Sequence, residues 1–163
     1  MTSTVYYSSP VGMLRLSENG EGITAVQWTD ARPVPSDALA HATPLLQETI
    51  RQLVAYFAGT RRSFDLPLSP QGTPFQLRTW QALREIPYGD TRTYRQIAEA
   101  IGCPKGARAV GLANNRNPVA ILTPCHRVIG SDGRLVGYAG GLQTKEWLLT
   151  LERANRGGNG RLQ

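Results

Sequence analysis

The sequence predicts an α/β (α+β) protein: a small N-terminal antiparallel sheet with one helix, then a mainly helical C-terminal domain. Three observations carry that prediction. Short β-prone runs separated by turn residues open the chain, capped stretches of helical periodicity follow, and a late apolar run ends in Pro124-Cys125.

Val5 to Ser8, Gly12 to Leu16 and Ile23 to Trp28 are the β-prone runs, and Ser9-Pro10 and Glu18-Asn19-Gly20-Glu21-Gly22 supply the turns of a meander. Thr43 is placed to cap a helix with Pro44 at its first position; Leu46, Ile50, Leu53 and Phe57 follow at helical spacing until Gly59. After a short stretch around Phe64 to Leu68, the run from Leu66 to Gly72 reads as a linker. It divides an N-terminal domain, 1–70, from a C-terminal one, 71–155. Thr73-Pro74-Phe75-Gln76 is a capping box, and Leu77, Trp80, Leu83 and Ile86 recur behind it at i, i+3 spacing. Pro87-Tyr88-Gly89-Asp90 makes a turn. Thr93-Tyr94-Arg95-Gln96 is a second capping box, opening a short helix with Ile97 and Ile101 facing inward and Gly102 at its end. The turn through Cys103, Pro104, Lys105 and Gly106 leads to another short helix, Ala107 to about Asn115, which together form a helix-turn-helix pattern. A last helix near Thr144 to Ala154 is expected to bury Trp147, Leu148 and Leu151, and the tail 156–163 to be disordered. There are no internal repeats.

All but two of the 18 basic residues are Arg, the exceptions being Lys105 and Lys145; the formal net charge is +6 and the pI near 9.8. Guanidinium groups contact phosphate and guanine edges bidentately more readily than ammonium groups do, which favours a nucleic-acid partner. Genomic base composition produces the same bias, and many helical hairpins are only core, so neither charge nor hairpin decides the partner alone. No basic-then-apolar N-terminal run reads as a signal peptide, and nothing approaches the roughly 18 apolar residues of a membrane span. A cytoplasmic protein without a membrane association is expected, a monomer in solution that can cluster on DNA. No zinc-type spacing links Cys103, Cys125, His126 and His41, so neither metal nor cofactor is expected.

A cysteine with no metal or disulfide is either packing or a nucleophile, and thiols become nucleophiles when their pKa falls beside His or positive charge. His126 follows Cys125 directly. Successive side chains in extended backbone diverge, so a bridging water is the expected relay, and Glu152 on the last helix is a candidate to orient the imidazole. An inert buried Cys beside a satisfied His leaves the same trace in sequence.

Pro124-Cys125-His126-Arg127, followed by Val128-Ile129-Gly130, resembles the active-site signature of the O6-alkylguanine-DNA alkyltransferases (methylated-DNA–protein-cysteine methyltransferases). Further motifs match in order: Tyr88-Gly89-Asp90, Thr93-Tyr94, Gly106 to Gly111, Asn117-Pro118, Gly137 to Gly141, and Lys145 to Leu149 with Glu152 behind. The resemblance is specific over roughly residues 73–153 and weaker before. It implies a suicidal methyltransferase that repairs O6-alkylguanine, and O4-alkylthymine, in double-stranded DNA through the minor groove with nucleotide flipping. Cys125 would accept the alkyl group, His126 would take its proton through water, Glu152 would orient His126, and Asn117 would brace the turn. Tyr94 would crowd the target phosphate and reach guanine N3; Arg108 would fill the space left by the flipped nucleotide. Ala109, Gly111, Asn114, Asn115 and Arg127 would also contact DNA, and Tyr138 with the backbone at Val128 and Ala139 would line the base pocket.

The chain departs from some relatives in three places. Ala139 stands where Ser occurs, Ala120 where Pro occurs, and the N-terminal part has no Cys and only His41, too little for a zinc site. Cys103, with no catalytic neighbour, reads as structural. Three rival functions are weighed. A non-catalytic lesion binder of the alkyltransferase-like type would lack Cys125. A transcriptional regulator would need richer base-reading side chains than Arg108 to Asn115 offer. A cysteine hydrolase would need an acyl-binding signature.

Overall fold

The computed structural model describes residues 2–30 and 42–156; His41 and positions 157–163 of the expected tail lie outside them. Strands β1 (Ser3–Ser9), β2 (Gly12–Glu18) and β3 (Ile23–Trp28) form the antiparallel meander in the order β1-β2-β3. Val5 pairs with Leu16, and Leu16 with Val26, which puts one apolar face of the sheet inward. Helix α1 (Pro44–Phe57) covers that face. Thr43 caps it as the sequence predicts, accepting from the Leu46 amide.

The outer edge of β3 is not left open. The Ile23 amide donates to Pro67 O at 2.8 Å and the Ser69 amide to Ile23 O at 2.8 Å, so the expected linker is strapped along the strand. Three residues further on, the Val26 amide donates to Pro118 O at 2.8 Å and the Ala120 amide to Val26 O at 2.9 Å. An unpaired edge would invite foreign strands; here the chain's own segments occupy it. The second strap is the apolar run that ends at Cys125. Val119, Ala120, Ile121 and Leu122 are buried in the same cluster as Leu14, Leu16 and Leu53.

In the second half, both capping boxes close in both directions. Helix α2 (Pro74–Leu83) starts on Thr73 and Gln76, and α3 (Tyr94–Ala100) on Thr93 and Gln96. Helix α4 (Ala107–Asn115) follows the turn at Gly102, whose φ of +81° is the left-handed conformation that glycine adopts without strain. Trp80, Leu83, Ile97 and Val110 pack α2, α3 and α4 into a second cluster that contains Cys125. Leu77 does not join them and is 40% exposed. It lies six positions before Leu83, roughly 240° around a helix of 3.6 residues per turn, so stepping by three carried the expected stripe off the buried face.

Strand β4 (Arg92–Thr93) pairs in parallel with β5 (Val128–Ile129), and α5 (Leu142–Arg156) closes the molecule. Helix α5 buries Lys145, Leu148, Leu149 and Glu152, a stripe at i, i+3, i+4 and i+7, while Trp147 lies off it and rests against Phe57 at the rim. The expected tail is corrected at Arg156. That residue is helical, and its guanidinium donates to Gly89 O at 2.9 Å, which ties the last turn down.

Candidate functional site

The segment before Cys125 is folded tightly. Ile121, buried and β-branched, has φ +70°, a conformation that costs such a residue about 1–3 kcal/mol and persists only where its surroundings impose it. Asn117 is the main constraint. Its Nδ2 donates to Thr123 O at 2.8 Å and Val119 O at 3.3 Å, and its Oδ1 accepts from the Val119 amide at 3.0 Å. Pro124 then leads into one 3-10 turn, Cys125–Arg127. The Cys125 carbonyl accepts from the Val128 amide and from Asn114 Nδ2 at 3.3 Å. Asn117 and Asn114 thus both hydrogen-bond the backbone around this turn.

Behind the turn lies a carboxylate with an unusual number of donors. Glu152, fully buried, receives His126 Nε2 at 2.7 Å, Arg127 Nε at 2.8 Å, Arg127 Nη2 at 3.0 Å, the Tyr56 hydroxyl at 2.6 Å and the Gly89 amide at 3.3 Å. Burial by itself would raise its pKa, but His126 and Arg127 outweigh it and hold the carboxyl far below the usual range. An ionised carboxylate can only accept, so His126 Nε2 carries the proton and Nδ1 presents a lone pair. Nδ1 is buried and has no hydrogen-bond partner among the described residues. Burial, with the Arg127 and Lys145 charges, lowers the imidazole pKa despite Glu152, which leaves a neutral base at neutral pH.

The thiol departs from expectation. Burial raises the Cys125 pKa, and Asn117, the Lys145 ammonium and the Tyr138 hydroxyl only partly offset it. A buried thiol of this kind ionises only if a base takes its proton, and His126, the next residue in the chain, is held neutral. The Tyr138 hydroxyl is itself buried without a well-formed hydrogen bond among the described residues. Lys145 donates to Val136 O at 3.1 Å and Gly137 O at 3.3 Å, and burial lowers its pKa to about 8. Tyr94 donates to the same Val136 O at 2.7 Å, so two side chains hold the loop that carries Tyr138.

On the opposite side, α4 presents Arg108, Ala109, Leu112 and Asn115 to solvent, with Leu112 61% exposed. Gly111 faces the Tyr94 ring rather than solvent. Ala139 is exposed on the Tyr138 loop, whereas the Val128 side chain is core. Two expected DNA contacts are corrected. Arg127 is buried, forked onto Glu152 with Nη1 on Ile86 O at 2.7 Å, because the 3-10 turn swings it inward. Asn114 is likewise buried against the Cys125 carbonyl, on the inner face of α4. Cys103 lies in the helix-turn-helix turn, away from this cluster.

Sequence reasoning missed Tyr56 and gave Lys145 no role. Tyr56 falls three positions after Leu53 on the apolar face of α1, where a phenol must find a partner for its hydroxyl; that signal was available. Nothing local announces that the partner is Glu152, 96 positions away.

Comparison with known proteins covers almost the whole chain. Residues 74–154 match the model described as "6-O-methylguanine DNA methyltransferase, DNA binding domain", and residues 4–70 the one described as "6-O-methylguanine DNA methyltransferase, ribonuclease-like domain". A methylated-DNA–protein-cysteine methyltransferase of Methanosarcina barkeri is 52% identical over 157 residues, 93% of this chain and 99% of that protein. The constitutive one of Bacillus subtilis is 46% identical, covering 91% of this chain and 95% of that protein. Among solved structures, the O6-methylguanine methyltransferase of Mycobacterium tuberculosis is similar with a TM-score of 0.83 and 46% identity, covering 95% of this chain and 94% of that one. The same organism's OGT in complex with DNA has a TM-score of 0.82 at 45% identity, with 93% of each chain covered.

Proposed function

This chain belongs to the 6-O-methylguanine DNA methyltransferase family, and we propose that it repairs O6-alkylguanine, and O4-alkylthymine, in double-stranded DNA by moving the alkyl group to Cys125. The observation that carries this reading is the buried Nδ1 of His126, without a partner among the described residues and fixed as a lone pair by an ionised Glu152, one residue along the chain from a buried thiol. In the reaction, the sulfur–carbon bond forms as the carbon–O6 bond breaks, and the thiol proton passes through a water to Nδ1. His126 ends as an imidazolium balanced by Glu152. The purine leaves as an oxyanion, and the Tyr94 hydroxyl, turned from Val136 O toward N3, stabilises it by hydrogen bonding. Nucleophile, base and orienting acid are all side chains, so no cofactor is required.

A stacked base hides its O6 substituent, so the nucleotide must flip out, at a cost of a few kcal/mol. Arg108 on the exposed face of α4 enters the duplex from the minor groove and fills the gap, with Ala109 and Asn115 against the backbone. Tyr138, Ala139 and the backbone at Val128 line the pocket that receives the base. Residues 71–155 thus bind DNA and carry the chemistry, and residues 1–70 support them; the protein works as a cytoplasmic monomer. The product is a thioether that water does not hydrolyse, so each chain acts once.

The test is stoichiometry. With excess duplex carrying one O6-methylguanine, the amount of guanine restored should equal the amount of protein. More than one duplex restored per chain would contradict single use. Tight binding with no restoration would make the protein a non-catalytic lesion binder instead.

A further inference from the structure

We propose that Trp28 is a positioning residue for alkyl transfer: β3 holds both walls of the active site, the Cys125 segment through Val26 and the Tyr138 loop through Trp28. The inference rests on the function proposed above.

Two residues on one strand do two jobs. Val26 exchanges backbone hydrogen bonds with Pro118 and Ala120, fixing the run that delivers Cys125. Trp28, on the same face two positions later, meets the Tyr138 ring edge-on, with centroids 5.4 Å apart and planes at 67°. Side chains at i and i+2 on a strand are separated by roughly 6.6 Å along it, so β3 sets a fixed offset between the two walls.

The contact is close on both sides of the indole. A Cβ placed on Gly140 would lie 3.0 Å from the Trp28 ring, so a glycine is needed there for the loop to lie against it. On the other side, the bend at Gly12, with φ +125°, brings a second glycine against the same indole, 3.4 Å from a would-be Cβ. The indole Nε1 is buried without a hydrogen-bond partner among the described residues, although most buried indole N–H groups find one. Packing against the loop is therefore retained at the expense of a polar group. At the loop's far end, Lys145 and Tyr94 hold Val136. Trp28 is the constraint from the N-terminal sheet, and it bears on Tyr138, whose hydroxyl helps hold the Cys125 thiol pKa down against burial.

The experiment compares Trp28→Phe, Trp28→Ala, Gly140→Ala and the Trp28→Phe/Gly140→Ala pair. Single-turnover transfer from an O6-methylguanine duplex is followed as a function of protein concentration, so that maximal rate separates from half-saturation. Trp28→Ala should lower the maximal rate about tenfold, within the hundredfold that a 1 Å misplacement can cost, with half-saturation unchanged within about twofold. Trp28→Phe should keep most of the rate. Gly140→Ala should lower it as well, and adding the smaller Phe ring should restore part of that loss, a rescue that general destabilisation does not produce. If Trp28→Ala folds and transfers at the wild-type rate, or if its loss lies wholly in half-saturation, the proposal fails; if Trp28→Ala does not fold, absence of rescue in the pair overturns it. Failure of the proposed function would look different, because the wild-type protein itself would then transfer nothing.

Discussion

The turn at Cys125 and the outer face of α4 are adjacent and unlike. Around the turn, Cys125, His126, Arg127 and Glu152 are all buried, and Glu152 alone takes five donated hydrogen bonds. On α4, Arg108, Ala109, Leu112 and Asn115 face solvent, and the helix starts at Gly106 with no side-chain cap. The difference separates two kinds of work. A preorganised, buried site can hold one proton on one nitrogen; an exposed, lightly held helix can adjust to a duplex. Variants in the two regions should therefore fail in different ways.

The largest effect is expected at the sulfur. Cys125→Ser should lower transfer by at least about 10⁴-fold, as removing a nucleophile does, while affinity for the duplex by gel shift stays near wild type. A parallel loss of binding would give Cys125 a structural role. Glu152→Gln comes next. An amide can donate to His126 and so permit the wrong tautomer, for which a loss of roughly 10²–10⁴-fold in transfer is expected. Single-turnover rates measured on folded protein check this; a loss under tenfold would mean that Nδ1 does not depend on Glu152.

The third way to sharpen the comparison is to exchange the two arginines that sequence placed on DNA together. Arg127→Met should destabilise the fold by about 3–5 kcal/mol in urea unfolding, since it leaves Glu152 poorly paired, and should leave the salt dependence of DNA binding unchanged. Arg108→Ala should do the reverse: unchanged stability, a slope against log salt reduced by about 1, and a repair rate that falls more than affinity does. A salt slope that responds to Arg127 would contradict its burial.

The smallest effect is on acid response. Burial holds the His126 pKa below its ordinary value of about 6.5, so folding favours the neutral ring. That contribution to stability is complete above pH 6.5 and is lost as pH falls through the lower folded value, because the unfolded chain then binds the extra proton. The base is lost over the same range. The transfer rate should be flat down to about pH 6.5 and decline below it; a decline already between pH 8 and 7 would mean that the imidazole is not depressed.

What the sequence could reveal follows from how far each signal reaches. The boxes at Thr73–Gln76 and Thr93–Gln96 were legible because a cap is written within four residues. Asn117 as brace came only from the family motifs, although its partners Val119 and Thr123 lie two and six positions away, because nothing local announces the tight turn they share. Glu152 was a candidate from the need for an orienting group, but its partner lies 26 positions away. Arg127 was misplaced because an Arg in a basic chain reads as a phosphate contact, and only the 3-10 turn after Pro124 turns it inward. Asn114 and Asn115 look alike in sequence, yet a helix points one at Cys125 O and the other at solvent. Tyr56 and Trp28 belong to the N-terminal half, where motifs were weak, and both act across the boundary between the two halves.

The central claim is that the chemistry belongs to the buried turn and to one sulfur in it. Cys125 and Cys103 are both free thiols of the same chain, one buried in the turn and one partly exposed between α3 and α4, so they provide the comparison within a single molecule. Intact-protein and peptide mass spectrometry after reaction with an O6-methylguanine duplex decides between them. The account predicts one added methyl per chain, on the peptide that contains Cys125. A methyl on Cys103, or an unmodified protein after the guanine has been restored, would contradict it.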